Sequence, residues 1–288
     1  MFECVPNVSE GRDPAVIDAL TRAGGRPVLD VHVDPDHHRS VLTMGASSAG
    51  ALVESMQSVA LAVADRLDVS THSGAHPRFG ALDVVPFIAL GDASPADAVD
   101  AAHRFARWAG EMLATPVFLY GGADPEGRSL PDVRRDAFTQ RNPDLGPSGP
   151  NPRLGAIAVG VRAVMVAVNV ELRDGDVALA RSIAGSVRER DGGLPGVQAL
   201  GFELASRGSA QVSMNLVDLE ATGLEQTCTE VRRRAETAGA GVERIELVGL
   251  LPESELVRMS TAFREWARID ADQTIEARFA AGGSSNRG

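Results

Sequence analysis

The sequence predicts an α/β protein assembled from two successive β-α-β-β-α-β units, and three observations predict it. Short apolar runs alternate with stretches whose apolar residues recur every three or four positions, once over residues 2–90 and again after residue 164. An irregular segment, residues 121–155, holds many of the prolines, glycines and charges and separates the two series. A length of 288 residues with 44% hydrophobic content suits two compact units, since a domain typically holds roughly 100–200 residues.

In the first series, residues 2–6 read as a short strand that Pro6 stops. Asp13 is placed to cap a helix with Pro14 in its first turn and Val16, Ile17 and Leu20 on one face. Residues 28–33 and 40–45 read as strands joined by a polar turn. Ser47 or Ser48 opens a long helix, with Leu52, Met56, Val59, Val63 and Leu67 at helical spacing. A loop with glycines and histidines, 71–80, leads to a strand at 84–90, then a helix at 95–113 and a strand at 116–120. Residues 121–155 hold one short helix near 130–138. A span this long with so little pattern is usually functional or disordered.

Residues 155–172 turn strongly apolar, with 164–168 a buried strand. A helix at 176–190, strands at 197–204 and 210–217, a helix at 222–238, a strand at 244–248 and a helix at 252–267 then repeat the order. Each series is the ferredoxin-like, or split βαβ, arrangement. Two such βαββαβ subdomains are expected side by side, each with its helices on one sheet face. The boundary is expected at Arg173-Asp174-Gly175, giving subdomains over 1–173 and 174–280. Residues 281–288, rich in glycine and serine, are expected to be a disordered tail.

Composition excludes several functions. The formal net charge is −11, and an acidic surface opposes phosphate backbones, so nucleic acid is not an expected partner. No apolar run approaches the roughly 20 residues that span a bilayer, so no membrane association is expected. Met1-Phe2-Glu3-Cys4 lacks the basic and apolar regions of a secretory signal, which points to the cytoplasm. Cys4 and Cys228 are too far apart in sequence to imply a disulfide scaffold or a thiolate cage. The chain has no lysine, so all 28 basic residues are arginines. Lysine Schiff-base chemistry, lysine-bound pyridoxal phosphate and a Walker A loop are thereby excluded. No Gly-x-Ser-x-Gly occurs, and Gly192-Gly193-Leu194-Pro195-Gly196 precedes a strand and contains proline. Neither a nucleophile elbow nor a dinucleotide fingerprint is supported.

The histidines cluster. His32, His37 and His38 lie at the first β-β connection, His72 and His76 in the 71–80 loop, and His103 on a helix. His72 and His76 have a helical metal-ligand spacing, but Gly74 and Pro77 argue against a helix and no cysteine is near. No metal is expected. The run from His72 to Asp83 packs imidazole, guanidinium and carboxylate into a dozen residues. Its glycines permit close backbone approach, an imidazole there can move protons near neutral pH, and Arg78 can hold a carboxylate with two bonds. A rigid structural loop accounts for the same residues.

The opening Cys4-Val5-Pro6-Asn7-Val8-Ser9-Glu10-Gly11-Arg12 resembles that of the glutamate formiminotransferases, also called formimidoyltransferases. So do His76-Pro77-Arg78-Phe79-Gly80-Ala81-Leu82-Asp83-Val84-Val85-Pro86-Phe87, Leu119-Tyr120-Gly121 and Pro143-Asp144-Leu145-Gly146-Pro147. The likeness continues through Gly155-Ala156, Asn169, Ala210-Gln211-Val212-Ser213-Met214-Asn215-Leu216 and Leu247-Val248-Gly249-Leu250-Leu251-Pro252. It runs in order over nearly the whole chain.

The resemblance implies a homodimer of two α/β subdomains with a ligand tunnel between them for reduced folate. It implies transfer of a formimino group between N5 of tetrahydrofolate and the amine of glutamate or a related amino acid. 5-Formimino-tetrahydrofolate is then a co-substrate, in one-carbon metabolism and histidine degradation. Only the transferase half of formiminotransferase-cyclodeaminase is matched; the chain stops before the other half. The family's catalytic histidine falls on His76. Its folate-binding stretch falls on Gly146, Pro147, Ser148, Gly149, Pro150, Asn151, Pro152, Arg153, Leu154 and Gly155.

One imidazole, with an ordinary pKa of about 6.5, can take the proton of the attacking ammonium and later protonate the departing nitrogen. In that scheme Asp83 orients the imidazole of His76, Arg39 and Arg78 clamp substrate carboxylates, Asn7 completes the substrate set, and Arg153 meets the folate tail. His32, His38, Ser73, Ala75 and Gly122 depart from the family pattern and leave the acceptor amine open. Two other readings stay open: a family member acting on a different amidine or acyl substrate, even hydrolytically, and a folate-binding protein that has lost catalysis.

Overall fold

The computed structural model describes residues 1–72, 78–204 and 206–284. The chain divides into two compact units, Met1–Arg162 and Ala163–Gly288.

In the first unit, β1 (Phe2–Cys4) and β2 (Asn7–Val8) are two pieces of one strand position, parted at Pro6. Next come α1 (Pro14–Gly24), β3 (Val28–Asp34), β4 (Arg39–Ala46), α2 (Ala49–Arg66) and β5 (Leu82–Ala89). The unit then continues through α3 (Pro95–Met112), β6 (Val117–Gly121), α4 (Leu130–Asp136) and β7 (Ile157–Val161). Among the described residues these strands make a seven-stranded sheet. β4 lies between β3 and the β1/β2 position, which pairs on its other side with β5, all antiparallel. β7 then adds parallel to β5, and β6 parallel to β7. The split βαβ order is therefore present, extended at one edge.

Local chemistry sets the ends of these elements. Asp13 accepts the N–H groups of Ala15 and Val16 at the start of α1, where Pro14 has no donor to lose. Ser48 does the same for α2 through Ala51. α2 buries Leu52, Met56, Val59 and Val63 against Leu42, Met44 and Phe87 of the sheet and Phe105 of α3. Burying one such side chain contributes roughly 1.5–3 kcal/mol. A smaller cluster holds Val84, Phe118, Tyr120 and Val133, with Phe79 packed against it. Phe79 and Phe138 each meet Phe118 edge-on, at 5.1 and 5.0 Å between ring centres. Phe79 thus anchors the chain just before β5.

The second unit runs β8 (Val166–Arg173), α5 (Val177–Val187), β9 (Val197–Leu204), β10 (Ser209–Leu216), α6 (Leu224–Thr237) and β11 (Gly241–Val248). Its antiparallel sheet has the order β11-β8-β10-β9. Val166, Val168, Val170 and Leu172 alternate along β8 into a core with Ile183 of α5 and Val231 of α6. α7 (Glu253–Arg258), α8 (Thr261–Ala267) and α9 (Ile275–Ser284) close the chain.

Three expectations are corrected. The boundary falls at Arg162–Ala163, not at 173–174, because the apolar stretch holds two strands rather than one. β7 pairs with β5 and β6, whereas β8 pairs with β10 and β11, so 163–173 belong to the second unit. The helix expected at 252–267 is two helices, since Ser260 caps a new start by accepting the Phe263 N–H. α9 reaches Ser284, into the segment expected to be a tail; residues 285–288 lie outside the described residues.

Candidate active site

Three backbone segments of the first unit converge: the β2–α1 connection, the β3–β4 turn and the approach to β5. Gly11 makes the first contact possible, because a Cβ there would sit 2.3 Å from the Asp34 carbonyl oxygen and 2.5 Å from the Arg39 nitrogen. Glu10 is fixed beside it, its Oε1 accepting the N–H groups of Arg12 (2.7 Å) and Asp13 (3.0 Å). Ser40 donates its hydroxyl to the Glu10 carbonyl, and Ser9 donates to the Gly80 carbonyl at 2.8 Å. Gly80 in turn abuts the segment 154–156, where a Cβ would meet the Ala156 and Leu154 carbonyls at 2.2 and 2.4 Å.

Imidazoles crowd this junction. His37 Nδ1 pairs with Asp34. Burial alone raises the Asp34 carboxyl, but the His37 side-chain and backbone hydrogen bonds outweigh it and hold the group below its ordinary range. His38 has a φ of 51°, a left-handed conformation that costs a non-glycine residue about 1–2 kcal/mol. Its Nε2 lies 3.3 Å from Glu10 Oε1, and its Nδ1 faces His72 Nε2. The two rings are 3.8 Å apart and tilted by 52°. Burial pulls His38 below its ordinary pKa despite Glu10. Burial, then Arg78, pushes His72 down to about 4.

Guanidiniums ring a single carboxylate. Asp83, at the start of β5 and buried, takes Arg134 of α4 at 2.5 Å and Arg39 at 3.4 Å on Oδ2. Its Oδ1 accepts the Phe79 N–H at 2.6 Å. Arg39 also donates Nε to Asn7 Oδ1 at 3.0 Å, and burial draws it down to about 10. Arg78 donates to the carbonyls of His37 (2.8 Å) and His38 (3.3 Å), tying the β3–β4 turn to the approach to β5.

Asn7, Arg39, Arg78 and Asp83, all expected from the sequence, thus come together. His76, Ser73 and Ala75 lie outside the described residues, and with them any contact of Asp83 to His76. His32 sits on β3 opposite Val41, and Gly122 donates its N–H to the Val161 carbonyl. In the segment 146–155, Asn151 and Gly155 exchange backbone bonds of 2.8 Å, and Asn151 Oδ1 accepts the N–H groups of Arg153 and Leu154. That end of the segment meets Gly80, while Gly146 packs on Thr115 and Gly110. Arg153 reaches the Leu67 carbonyl at 3.3 Å and the Ala64 carbonyl at 3.5 Å, closing the last turn of α2.

Glu10 and Arg134 stand outside the residue set expected from the sequence. Glu10 lay within the matched opening; Arg134 lay on the short helix of the irregular segment, where only pairing with Asp83 distinguishes it from Arg135. Among the described residues no group of three or more His, Cys, Asp or Glu side chains is arranged to hold a metal ion. No described helix is long and apolar enough to cross a membrane.

Paired imidazoles beside carboxylates and a belt of guanidiniums, on an extended split βαβ sheet, equip an enzyme to move protons on an anionic substrate. Residues 1–162 match the N-terminal subdomain of the formiminotransferase domain, and residues 167–277 match the formiminotransferase domain. The chain belongs to the formiminotransferase family. It is 33% identical to a glutamate formimidoyltransferase of Thermoplasma acidophilum over 96% of both chains. A Streptococcus pyogenes glutamate formimidoyltransferase is also 33% identical, over 96% of this chain and 97% of that protein. The formimidoyltransferase-cyclodeaminase of Mus musculus is 36% identical over 89% of this chain, which spans 51% of that protein.

Proposed function

We propose that this protein transfers a formimino group between N5 of tetrahydrofolate and the amine of glutamate or a related amino acid, with His76 as general base and acid. The observation that carries this is the ordered match of both formiminotransferase segments along the chain, with two glutamate formimidoyltransferases aligned to 96% of it. Site chemistry agrees with it. The attacking ammonium must lose a proton before it adds to the amidine carbon, and the departing folate nitrogen must gain one. A neutral imidazole serves both steps. Arg39 and Arg78 bring two guanidinium charges to the same junction, which suits substrates that carry carboxylates. The main-chain groups of 146–155 supply the folate contacts, and Asp83 keeps Arg39 and Arg134 in place. The protein acts as a cytoplasmic homodimer and needs no metal.

The test is a transfer assay with 5-formimino-tetrahydrofolate and glutamate, run beside calorimetric folate binding and light scattering. His76→Ala should lower turnover by roughly 10²–10⁴ with folate binding retained. Folate binding without transfer to any amino acid would reject the transferase reading, and near-normal turnover in His76→Ala would remove that residue from the mechanism.

A further inference from the structure

We propose that Asn151 is a positioning residue for His76: its side chain shapes the turn 151–155, and that turn fastens the chain on both sides of the loop that carries His76. This inference rests on the transfer reading above, and it joins the seating of folate to the placement of the general base. Residues 73–77 lie outside the described residues; the contacts concerned are those of the chain before and after them.

The sequence Pro150-Asn151-Pro152-Arg153-Leu154-Gly155 dictates the turn. Pro152 has no N–H to offer and disfavours helical backbone at Asn151. The Asn151 Oδ1 instead accepts the N–H groups of Arg153 and Leu154, each at 3.0 Å, as asparagine does in turns. The backbone then closes on itself, with Asn151 and Gly155 exchanging N–H···O bonds of 2.8 Å. Gly155 has a φ of +72°, which glycine adopts at little cost. Asn151 Nδ2 donates to the Ala114 carbonyl at 3.2 Å and ties the turn to the chain just after α3. A side-chain amide has two acceptor positions and two N–H groups. Both acceptor positions and one N–H of Asn151 are committed inside the chain, so the residue acts by shaping the turn rather than as an open contact for a ligand.

The outer side of the turn is laced to both ends of the loop. Before the loop, the Val69 N–H donates to the Arg153 carbonyl at 2.8 Å. After it, the Ala81 N–H donates to the Leu154 carbonyl at 2.9 Å, and the Ala156 N–H donates to the Phe79 carbonyl at 3.0 Å. Gly80 and Gly155 meet there. A Cβ on Gly80 would stand 2.4 Å from the Leu154 carbonyl oxygen, and one on Gly155 would stand 2.8 Å from Gly80 Cα. That approach leaves no room for a side chain, so the turn and the chain entering β5 shift together. One short turn thus spans from Val69 to Phe79, and it does so with main-chain groups that Arg153→Ala leaves in place. The same turn ends the segment 146–155 that the transfer reading gives to folate. A ligand that steadies the turn therefore acts on both ends of the His76 loop at once, and such coupling is reciprocal.

The experiment joins amide hydrogen exchange to steady-state transfer kinetics, in the parent, Asn151→Ala and Asn151→Asp. Asn151→Ala removes the acceptor for the Arg153 and Leu154 N–H groups, whereas Asn151→Asp keeps it. In Asn151→Ala, exchange at Val69 and Ala81 should quicken together. Its kcat at saturating substrates should fall at least about tenfold, within the roughly 10² that a misplacement of about 1 Å costs. Asn151→Asp should recover most of the lost kcat, whatever its added charge does to KM for folate. In the parent, tetrahydrofolate without an acceptor should slow exchange at Val69 and Ala81 by at least about fivefold. Should Asn151→Ala fail to fold, that protection in the parent decides the question. A loss confined to KM for folate with kcat unchanged overturns the positioning role. So does a kcat that Asn151→Asp leaves unrecovered, or folate binding that leaves both amides unprotected. A parent that binds no folate, or binds it without transfer, defeats the transfer reading instead; the two failures are told apart because exchange in Asn151→Ala is read without substrate.

Discussion

Replacing Asp83 by asparagine isolates what the buried carboxylate does for the site. Asp83 is 2% exposed, and the Arg39 and Arg134 side chains that share its Oδ2 are 18% and 24% exposed. Asparagine keeps an oxygen for the Phe79 N–H but turns an N–H₂ toward the two guanidiniums. Two cations are then left facing each other in a largely dry setting. Removing one partner of a buried ion pair costs roughly 3–5 kcal/mol. The retained Phe79 bond and the partial hydration of Arg134 offset some of this, leaving about 2–4 kcal/mol. For a cooperative unit of this size that is a fall in Tm of about 4–16 °C. Circular dichroism melts would measure it, and Trp108 in the first unit and Trp266 in the second report each unit by fluorescence. A double-mutant cycle with Arg134→Gln should recover about 0.5–3 kcal/mol of coupling. A Tm within about 1 °C of the parent, where about 2–4 °C per kcal/mol applies, would show that Asp83 carries no structural charge pairing, and zero coupling would show that Arg134 is not its partner.

Further expectations can be checked on the same purified protein. Gly155→Ala should destabilise the first unit by about 1–3 kcal/mol in denaturant titration, because its φ is +72° and a Cβ would press on the Phe79 carbonyl oxygen at 2.6 Å. Asp124 is held well below the usual carboxylate range, chiefly by Arg128 and against its own burial, with N–H groups of Glu126 and Arg128 and the charge of Arg141 assisting. A depressed carboxyl stabilises the fold fully above its ordinary value of 3.8 and loses that contribution as pH falls toward its folded value. Asp124→Asn should therefore be less stable than the parent at neutral pH, and the gap should close below pH 3.8. Arg153→Ala should cost about 0.3–1 kcal/mol of stability through the lost closure of α2, and should weaken binding of folate several-fold while leaving tail-less pteroate unaffected; equal losses for both would place Arg153 away from the tail. Elemental analysis of protein purified without chelator should find well under one metal per chain, and a stoichiometric metal needed for transfer would defeat the metal-free mechanism.

Periodicity revealed the second unit well, because its amphipathic helices and half-buried strands leave clean repeats. It failed at residues 155–172, where β7 and β8 are both apolar and differ only in which sheet receives them. Pairing partners are tertiary facts and leave no trace in composition. The segment 121–155 posed the opposite problem, since it lacks pattern yet is ordered. Its order comes from ion pairs: Arg141, buried, bonds both oxygens of Asp144 and also meets Asp124, and Asp144 accepts the Leu119 N–H at 2.7 Å. Charges spaced irregularly along the chain read as a solvated loop until their partners are seen. In the site, Arg39, Arg78, Asp83 and Asn7 were accessible through the matched motifs. The His38–His72 contact was not, because it joins a turn and a loop 34 residues apart.

The absence of lysine sharpens how an acidic chain can receive an anionic substrate. With a formal charge of −11, the average field repels any carboxylate ligand. The first unit meets this locally by placing Arg12, Arg39, Arg78 and Arg134 around Asp34, Glu10 and Asp83. Asp34 is committed to His37, and Asp83 offsets one charge of the two arginines that share it, so the belt keeps a positive excess. A lysine in these places would be a mobile point charge, easily deprotonated when buried; a guanidinium stays charged even where burial draws Arg39 down to about 10. Its planar fork holds Asn7 or a backbone carbonyl along one edge while its charge stays at the junction. Burial lowers the pKa of His38 and of His72, and Arg78 adds to it at both, with Arg12 assisting at His38. The arginines therefore gather positive charge at this junction of an acidic chain, and Arg78 also lowers the pKa of the two imidazoles beside it.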